Sequence, residues 1–255
     1  MLNIFSANAF EDNYIWFIQA ADSNAVLIVD PGEAAPVIAL LKERQLQPTA
    51  ILITHGCHDH VGGINRLLED YDIPVYGPKN EFIPSITHQL IALDEVKVEG
   101  FPPIYVLDIP GHTSGHIGFV MEDNLFCCDA LFAAGCGRLH TGPAELLFQS
   151  LQTIAQLPDE TNIYCAHEYT QSNLRFAIAV EPDNTDIQQR IINTDALRGK
   201  GMSTLPSQLG LERKTNPFLR CDSEGVKHAV EQQASVEFTE TDQVFKSLRL
   251  WKDNF

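Results

Sequence analysis

Between residues 55 and 60 the chain reads His55-Gly56-Cys57-His58-Asp59-His60, five side chains able to ligate a metal within six positions. Imidazole, thiolate and carboxylate are the donors that divalent transition metals select. His112, Asp129 and His167 each follow an apolar run at a distance of no more than a few residues. A single histidine in such a place reads as a hydrogen-bonded loop residue. Taken with the dense segment, the set predicts a metal centre.

To bring these positions together the chain needs strands that end on a common rim. Apolar runs at 25–29, 50–54, 105–109, 125–128 and 162–166 lead into Asp30, His55, Pro110-Gly111-His112, Asp129 and His167. Their length and β-branched content predict buried strands, and residues beyond the carboxyl ends of strands converge in α/β folds. Residues 34–44, 62–71 and 144–157 carry apolar side chains at helical spacing, which predicts α/β layering. From about residue 168 the pattern changes. Residues 168–180, 185–198, 223–234 and 241–251 read as helices, 199–217 reads as a loop, and no further strand is expected, so a domain change is placed near residue 166.

Composition bounds the partners. With 34 acidic against 17 basic side chains, the 255 residues carry a net charge of -17. Such a surface repels phosphate backbones, so no nucleic-acid partner is expected. An anionic substrate would have to be held by locally placed Lys and Arg. No apolar run approaches the ~18 residues of a membrane span, and the N-terminus has neither a basic region nor an apolar stretch of the secretory type, so a cytoplasmic chain without membrane contact is expected. The six cysteines form no CxxC pair and read as reduced thiols.

The segment Thr54-His55-Gly56-Cys57-His58-Asp59-His60-Val61-Gly62-Gly63 is similar to the metallo-β-lactamase superfamily signature T-H-x-H-x-D-H. Asp30-Pro31-Gly32, Pro110-Gly111-His112-Thr113-Ser114-Gly115-His116, Cys128-Asp129-Ala130-Leu131-Phe132 and Ala166-His167-Glu168-Tyr169 occur in that family's order. Further matches at Asp12-Asn13-Tyr14-Ile15-Trp16, Gly135-Cys136-Gly137-Arg138, Asn216-Pro217-Phe218-Leu219-Arg220 and Lys252-Asp253-Asn254-Phe255 make the whole chain resemble the glyoxalase II, or hydroxyacylglutathione hydrolase, family.

The resemblance implies an α/β protein: an αββα sandwich over residues 1–166, followed by a small all-helical domain over 167–255 that binds glutathione. It implies two divalent metal ions, zinc first and iron or manganese as alternatives. One would take His55, residue 57 and His112, the other Asp59, His60 and His167, with Asp129 bridging. Asp59 and Asp129 would serve the chemistry by holding hydroxide, not as acids. Arg138, His140, Tyr169, Arg249 and Lys252 would contact substrate. The implied reaction is hydrolysis of S-(2-hydroxyacyl)glutathione, typically S-D-lactoylglutathione, to glutathione and D-lactate, the second step of methylglyoxal detoxification. The only partner implied is that thioester, and a monomer is expected.

The chain departs from the family at position 57, where Cys replaces the expected His. Three outcomes are open: Cys57 ligates as a thiolate, which favours zinc; it stands idle; or His58 turns in, against the direction of the turn. Arg138 and His140 replace the Lys and Tyr of some relatives. His116 is read as a supporting residue, and His88 and His228 as surface or packing residues. Two other functions share the resemblance: a glutathione persulfide dioxygenase with one iron on His55, His112 and Asp129, and a low-activity metal- or glutathione-binding relative crippled by Cys57.

Overall fold

A seven-residue run, Asn13–Gln19, is buried over its first six positions, as a strand covered on both faces must be. In the computed structural model, which describes residues 2–255, it is the second strand of a six-stranded sheet. That sheet runs β1 (Asn3–Ala9), β2 (Asn13–Gln19), β3 (Ala25–Val29), β4 (Gln47–Leu52), β5 (Val75–Pro78) and β6 (His88–Leu90), antiparallel from β1 to β3 and parallel from β3 to β6. The second sheet contains β7 (Glu95–Val96), β8 (Ile104–Asp108), β9 (Ile117–Met121) and β10 (Asn124–Cys128). A hairpin of β11 (Leu131–Phe132) and β12 (Gly135–Cys136) follows, after which β13 (Asn162–Cys165) and β14 (Ser207–Gln208) extend the second sheet beside β10.

Period-two alternation sorts the side chains into layers. From β2, Trp16 and Ile18 enter the cluster between the sheets with Leu27, Leu52, Phe119 and Phe126. Their neighbours Ile15 and Phe17 face the other way, with Ile28 and Ile51, onto α1 (Ala34–Glu43) and α3 (Ile64–Asp70) through Val37, Leu41, Ile64 and Leu67. Between these helices lies a single turn, α2 (His58–Val61). The far sheet is covered by α4 (Ala144–Ile154), whose Leu147, Leu151 and Ile154 join the central cluster. The expected αββα layering is therefore what the chain adopts.

The remainder holds α5 (Thr170–Val180), α6 (Thr185–Arg198), α7 (Leu209–Thr215), α8 (Glu224–Ala234) and α9 (Thr241–Asp253). The stretch 199–217, expected as a loop, contains β14 and α7. Both are too short to show a period, and β14 exists because β13 offers it a partner, Ser207 opposite Ile163. A buried polar knot ties this stretch to the β11–β12 hairpin. Glu212, fully buried, pairs with Arg190 at 2.5 Å and accepts from the Ala134 amide at 2.8 Å. Asn216 donates to the carbonyls of Phe132 and Gly135 at 3.1 and 2.9 Å. Among the described residues no helix is long and apolar enough to cross a membrane.

Candidate metal centre

The strand ends deliver the chemistry. Beyond β3 lies Asp30, beyond β4 Thr54 and His55, beyond β8 His112, beyond β10 Asp129 and beyond β13 His167. Cys57 caps α2, whose first turn carries Asp59 and His60. Two side chains at this rim sit on left-handed backbone, Asp30 at φ +49° and Cys128 at +40°, a strain of about 1–3 kcal/mol each that the surrounding sheet must hold. Two glycines permit the close approach. A Cβ at Gly32 would lie 1.8 Å from the Asp59 carbonyl oxygen, and one at Gly137 would lie 2.0 Å from that of Asp129.

All four imidazoles are oriented alike. Their Nδ1 atoms face Thr54 Oγ1 (His55, 3.0 Å), Asp30 (His60, 2.9 Å), the Arg138 carbonyl (His112, 2.7 Å) and Asp12 (His167, 2.8 Å). Those acceptors fix the proton on Nδ1 and leave Nε2 to face the centre. There the Nε2 atoms of His60, His112 and His167 stand 3.5, 3.7 and 3.4 Å from Asp129, and those of His60 and His167 stand 3.4 and 3.5 Å from Asp59. Donors at ~2.0–2.1 Å from a tetrahedral ion are separated by ~3.3 Å, and a thiolate at ~2.3 Å stands ~3.6 Å from an imidazole on the same ion. Cys57 Sγ lies 3.6 Å from His112 Nε2.

Four groups of three candidate donors result: His55–Cys57–His112, Asp59–His60–His167, His55–His60–Asp129 and Asp30–His60–Cys128. In the last, Asp30 already accepts from His60 Nδ1, so the first two are the sets open to the centre, with Asp129 against His55 and His60. Buried His55 Nε2, His60 Nε2 and Asp129 Oδ1 have no hydrogen-bond partner, a cost that a cation would relieve. The donor set fits divalent metal. His58 is exposed and belongs to neither set.

Charge is concentrated here. Burial opposes a proton on His60, yet Asp129, Asp30 and Asp59 outweigh it and hold the ring well above the usual imidazole range. Burial likewise opposes ionisation of Asp129, but His60 and His167 hold it well below the usual carboxylate range. The His60 ring, its Nε2 3.4 Å away, lowers Asp59 in the same direction. His55 is pushed well below its ordinary value by burial and then by His60, and burial lowers His116, stacked on His55 at 4.6 Å, to about 3. Burial also pushes the Cys57 thiol up to about 11 in the metal-free protein.

A cavity of about 310 Å³ opens beside the centre, lined by His112, Asp129, Phe132, Arg138, Tyr169, Arg249 and Lys252 among others. Tyr169 stacks on His167 at 4.8 Å and meets Phe132 edge-on at 5.3 Å. Arg249 is buried, not part of a solvated helix face: it donates to the Cys136 carbonyl and to Asp253, and lies 5.1 Å over the Phe218 ring. Lys252 is lowered to about 8 by burial, then by Arg249, Arg175 and Arg138. Of the expected substrate contacts, His140 does not line the cavity. It is exposed, with its ring 6.1 Å from that of His112. Pattern reading misses Arg175, Ser172 and Asn173, which carry no local signal; Asp12 and Asp30 had one, Asp12 opening a segment that resembles the family and Asp30 closing a strand, but neither pattern named the histidine it supports. A wider groove of about 880 Å³ among the helices holds none of these residues.

Residues 10–167 match the family model described as "Metallo-beta-lactamase superfamily", and residues 168–255 match "Hydroxyacylglutathione hydrolase C-terminus". The hydroxyacylglutathione hydrolase of Aliivibrio salmonicida is 50% identical over 256 residues, covering 100% of both chains. The chain belongs to the hydroxyacylglutathione hydrolase family. Its relative from Nitrosomonas europaea is 46% identical over 260 residues, covering 100% of this chain and 97% of that one. Among solved structures, this chain superposes on TTHA1623 in a di-iron-bound form with a TM-score of 0.59 at 26% identity, covering 84% of this chain and 100% of that one. The expected family and sandwich fold are both borne out, and the fold implies a site for divalent metal.

Proposed function

We propose that the chain hydrolyses S-(2-hydroxyacyl)glutathione, S-D-lactoylglutathione in the first place, to glutathione and a 2-hydroxy acid, D-lactate in that case, in methylglyoxal detoxification. One observation carries the reading: inward-facing imidazoles and Asp129 meet at the edge of a cavity whose wall holds Arg138, Arg249 and Lys252, in a chain of net charge -17. An acidic protein that gathers cations beside a metal-ligand cluster has the means to hold an anionic peptide thioester there.

His55, Cys57 and His112 would hold one divalent ion and Asp59, His60 and His167 a second, zinc above iron or manganese, with Asp129 between them. Bound there, the ions would supply Lewis acidity toward water and toward the thioester carbonyl at neutral pH. Asp59 and Asp129 stay ionised as donors to that pair, so they are not acids in the reaction. A thiolate leaves readily, so little acid assistance is needed. Arg138 grips a glutathione carboxylate through its planar fork, and Lys252 adds a second positive charge. Tyr169, raised to about 12 chiefly by burial, keeps its proton and can donate it to substrate. Arg249 supports this wall through Cys136. His140 is left without a substrate contact. The same reading makes the chain a cytoplasmic monomer with no nucleic-acid partner, and the charge supports the last point.

Thiol release from S-D-lactoylglutathione by the protein loaded with zinc, iron or manganese tests the reading; no release with any of the three overturns it. A one-iron persulfide dioxygenase would use only His55, His112 and Asp129, leaving Asp59, His60 and His167 assembled without a task. Oxygen uptake with glutathione persulfide separates the two. A crippled relative would show turnover that rises substantially in Cys57→His.

A further inference from the structure

The two donor sets differ in kind. His55, Cys57 and His112 offer two imidazoles and a sulfur; Asp59, His60 and His167 offer two imidazoles and a carboxylate oxygen. The sulfur is placed to bind. Cys57 Sγ stands 3.6 Å from His112 Nε2, the ~3.6 Å edge of a sulfur–nitrogen pair on one tetrahedral ion, whereas Asp59 Oδ2 stands 3.4 and 3.5 Å from its two imidazoles, close to the ~3.3 Å edge of an oxygen–nitrogen pair. Among the described residues, the other five cysteines are buried and Cys57 alone is partly exposed. His55 Nε2, buried and unpartnered, faces the same point.

Resting on the dinuclear reading, we infer that Cys57 makes the centre a metal-sorting pair. The position built on Cys57 retains a thiophilic cation such as zinc, cobalt or cadmium, while the position built on Asp59 accepts a harder one such as manganese or iron. Softness is one reason, because thiolate selects zinc-like ions and carboxylate tolerates the others. Charge is the second. A histidine at position 57 would leave that position without an anion of its own, whereas a thiolate gives each position one anion besides the shared Asp129. The Cys57 position therefore holds its ion against a chelator after the Asp59 position has released one.

Cobalt(II) added to metal-free protein tests this without reference to turnover. Two bound equivalents with a sulfur-to-cobalt charge-transfer band in the near ultraviolet are expected from the native chain. The band is lost in Cys57→His and Cys57→Ser, each checked for native fold by circular dichroism. With one equivalent each of zinc and manganese, sulfur should appear in the zinc coordination sphere of the native protein by X-ray absorption, and in that of neither metal in Cys57→His. Two equivalents of cobalt without the band, or zinc without sulfur in the native protein, overturn the inference. Thiol release from S-D-lactoylglutathione is read separately: activity without the band sinks only the sorting, and the band without activity sinks only the hydrolase.

Discussion

Asp30 accepts a hydrogen bond from His60 Nδ1 at 2.9 Å while also accepting from the Thr54 amide at 2.8 Å and the Thr54 hydroxyl at 2.5 Å. One buried carboxylate thus aims His60 directly and His55 through Thr54, whose oxygen faces His55 Nδ1. Asp30→Asn presents an amide where an acceptor is required. Metal affinity should fall by roughly 10–100-fold, read by competition with a chromophoric chelator. An unchanged affinity would mean that packing alone orients the rings.

Metal uptake should release protons. In the metal-free protein His60 titrates above its ordinary value, so its contribution to stability is complete below about pH 6.5 and disappears as pH rises through the higher folded value. Asp59 and Asp129 titrate below theirs, so their contribution is present above about pH 4 and lost as pH falls towards the folded values. A cation at His60 must displace its proton, which makes binding tighter at pH 8 than at pH 6. Calorimetry in buffers of different ionisation enthalpy measures the release; a heat that is independent of buffer contradicts it.

Substrate affinity should weaken in alkali before chemistry does. Lys252 loses its proton near pH 8, so KM for an anionic thioester should climb between pH 7 and 9 while kcat holds. Lys252→Arg should flatten that rise. Arg138→Ala should raise KM by about tenfold at neutral pH with little change in kcat, the signature of lost uniform binding. A fall in kcat alone would place Arg138 elsewhere in the cycle.

The Glu212–Arg190 pair should be costly to break from one side. Glu212→Ala leaves Arg190 buried without its partner, a loss of about 3–5 kcal/mol. Replacing both by apolar residues of similar volume should cost much less. Urea unfolding of the single and double variants decides, and equal losses would show that the pair acts through its hydrogen bonds to Ser207 and Ala134.

The donors were legible because their signal is local. A run such as 50–54 and the histidine that closes it are neighbours in sequence, and ligand chemistry belongs to the residue type. What orients them is not local. Asp12 supports His167 from 155 positions away, and although Asp12-Asn13-Tyr14-Ile15-Trp16 resembles the family, no local pattern pairs Asp12 with His167. Arg249 and Lys252, three apart on α9, carry the spacing of a solvated face, yet Arg249 is buried because the Cys136 carbonyl and the Phe218 ring meet it. Glu212 lies in a seven-residue helix beside Arg213 and Lys214, a surface pattern, and is fully buried against Arg190. Strands β2 and β9 escape pattern reading as well. The first is buried on both faces and lacks alternation, and Gly118 interrupts the second.

Strand β14 has a bearing on protein engineering. The family models part the sequence between 167 and 168, but β14 is hydrogen-bonded to β13 across that point. A chimaera joined there, with the tail of a different relative, would stake its solubility on the foreign tail supplying an equivalent edge strand. Without it, β13 becomes an open template for another molecule. Grafts that exchange acyl-thioester preference should move β13 and everything after it as one piece.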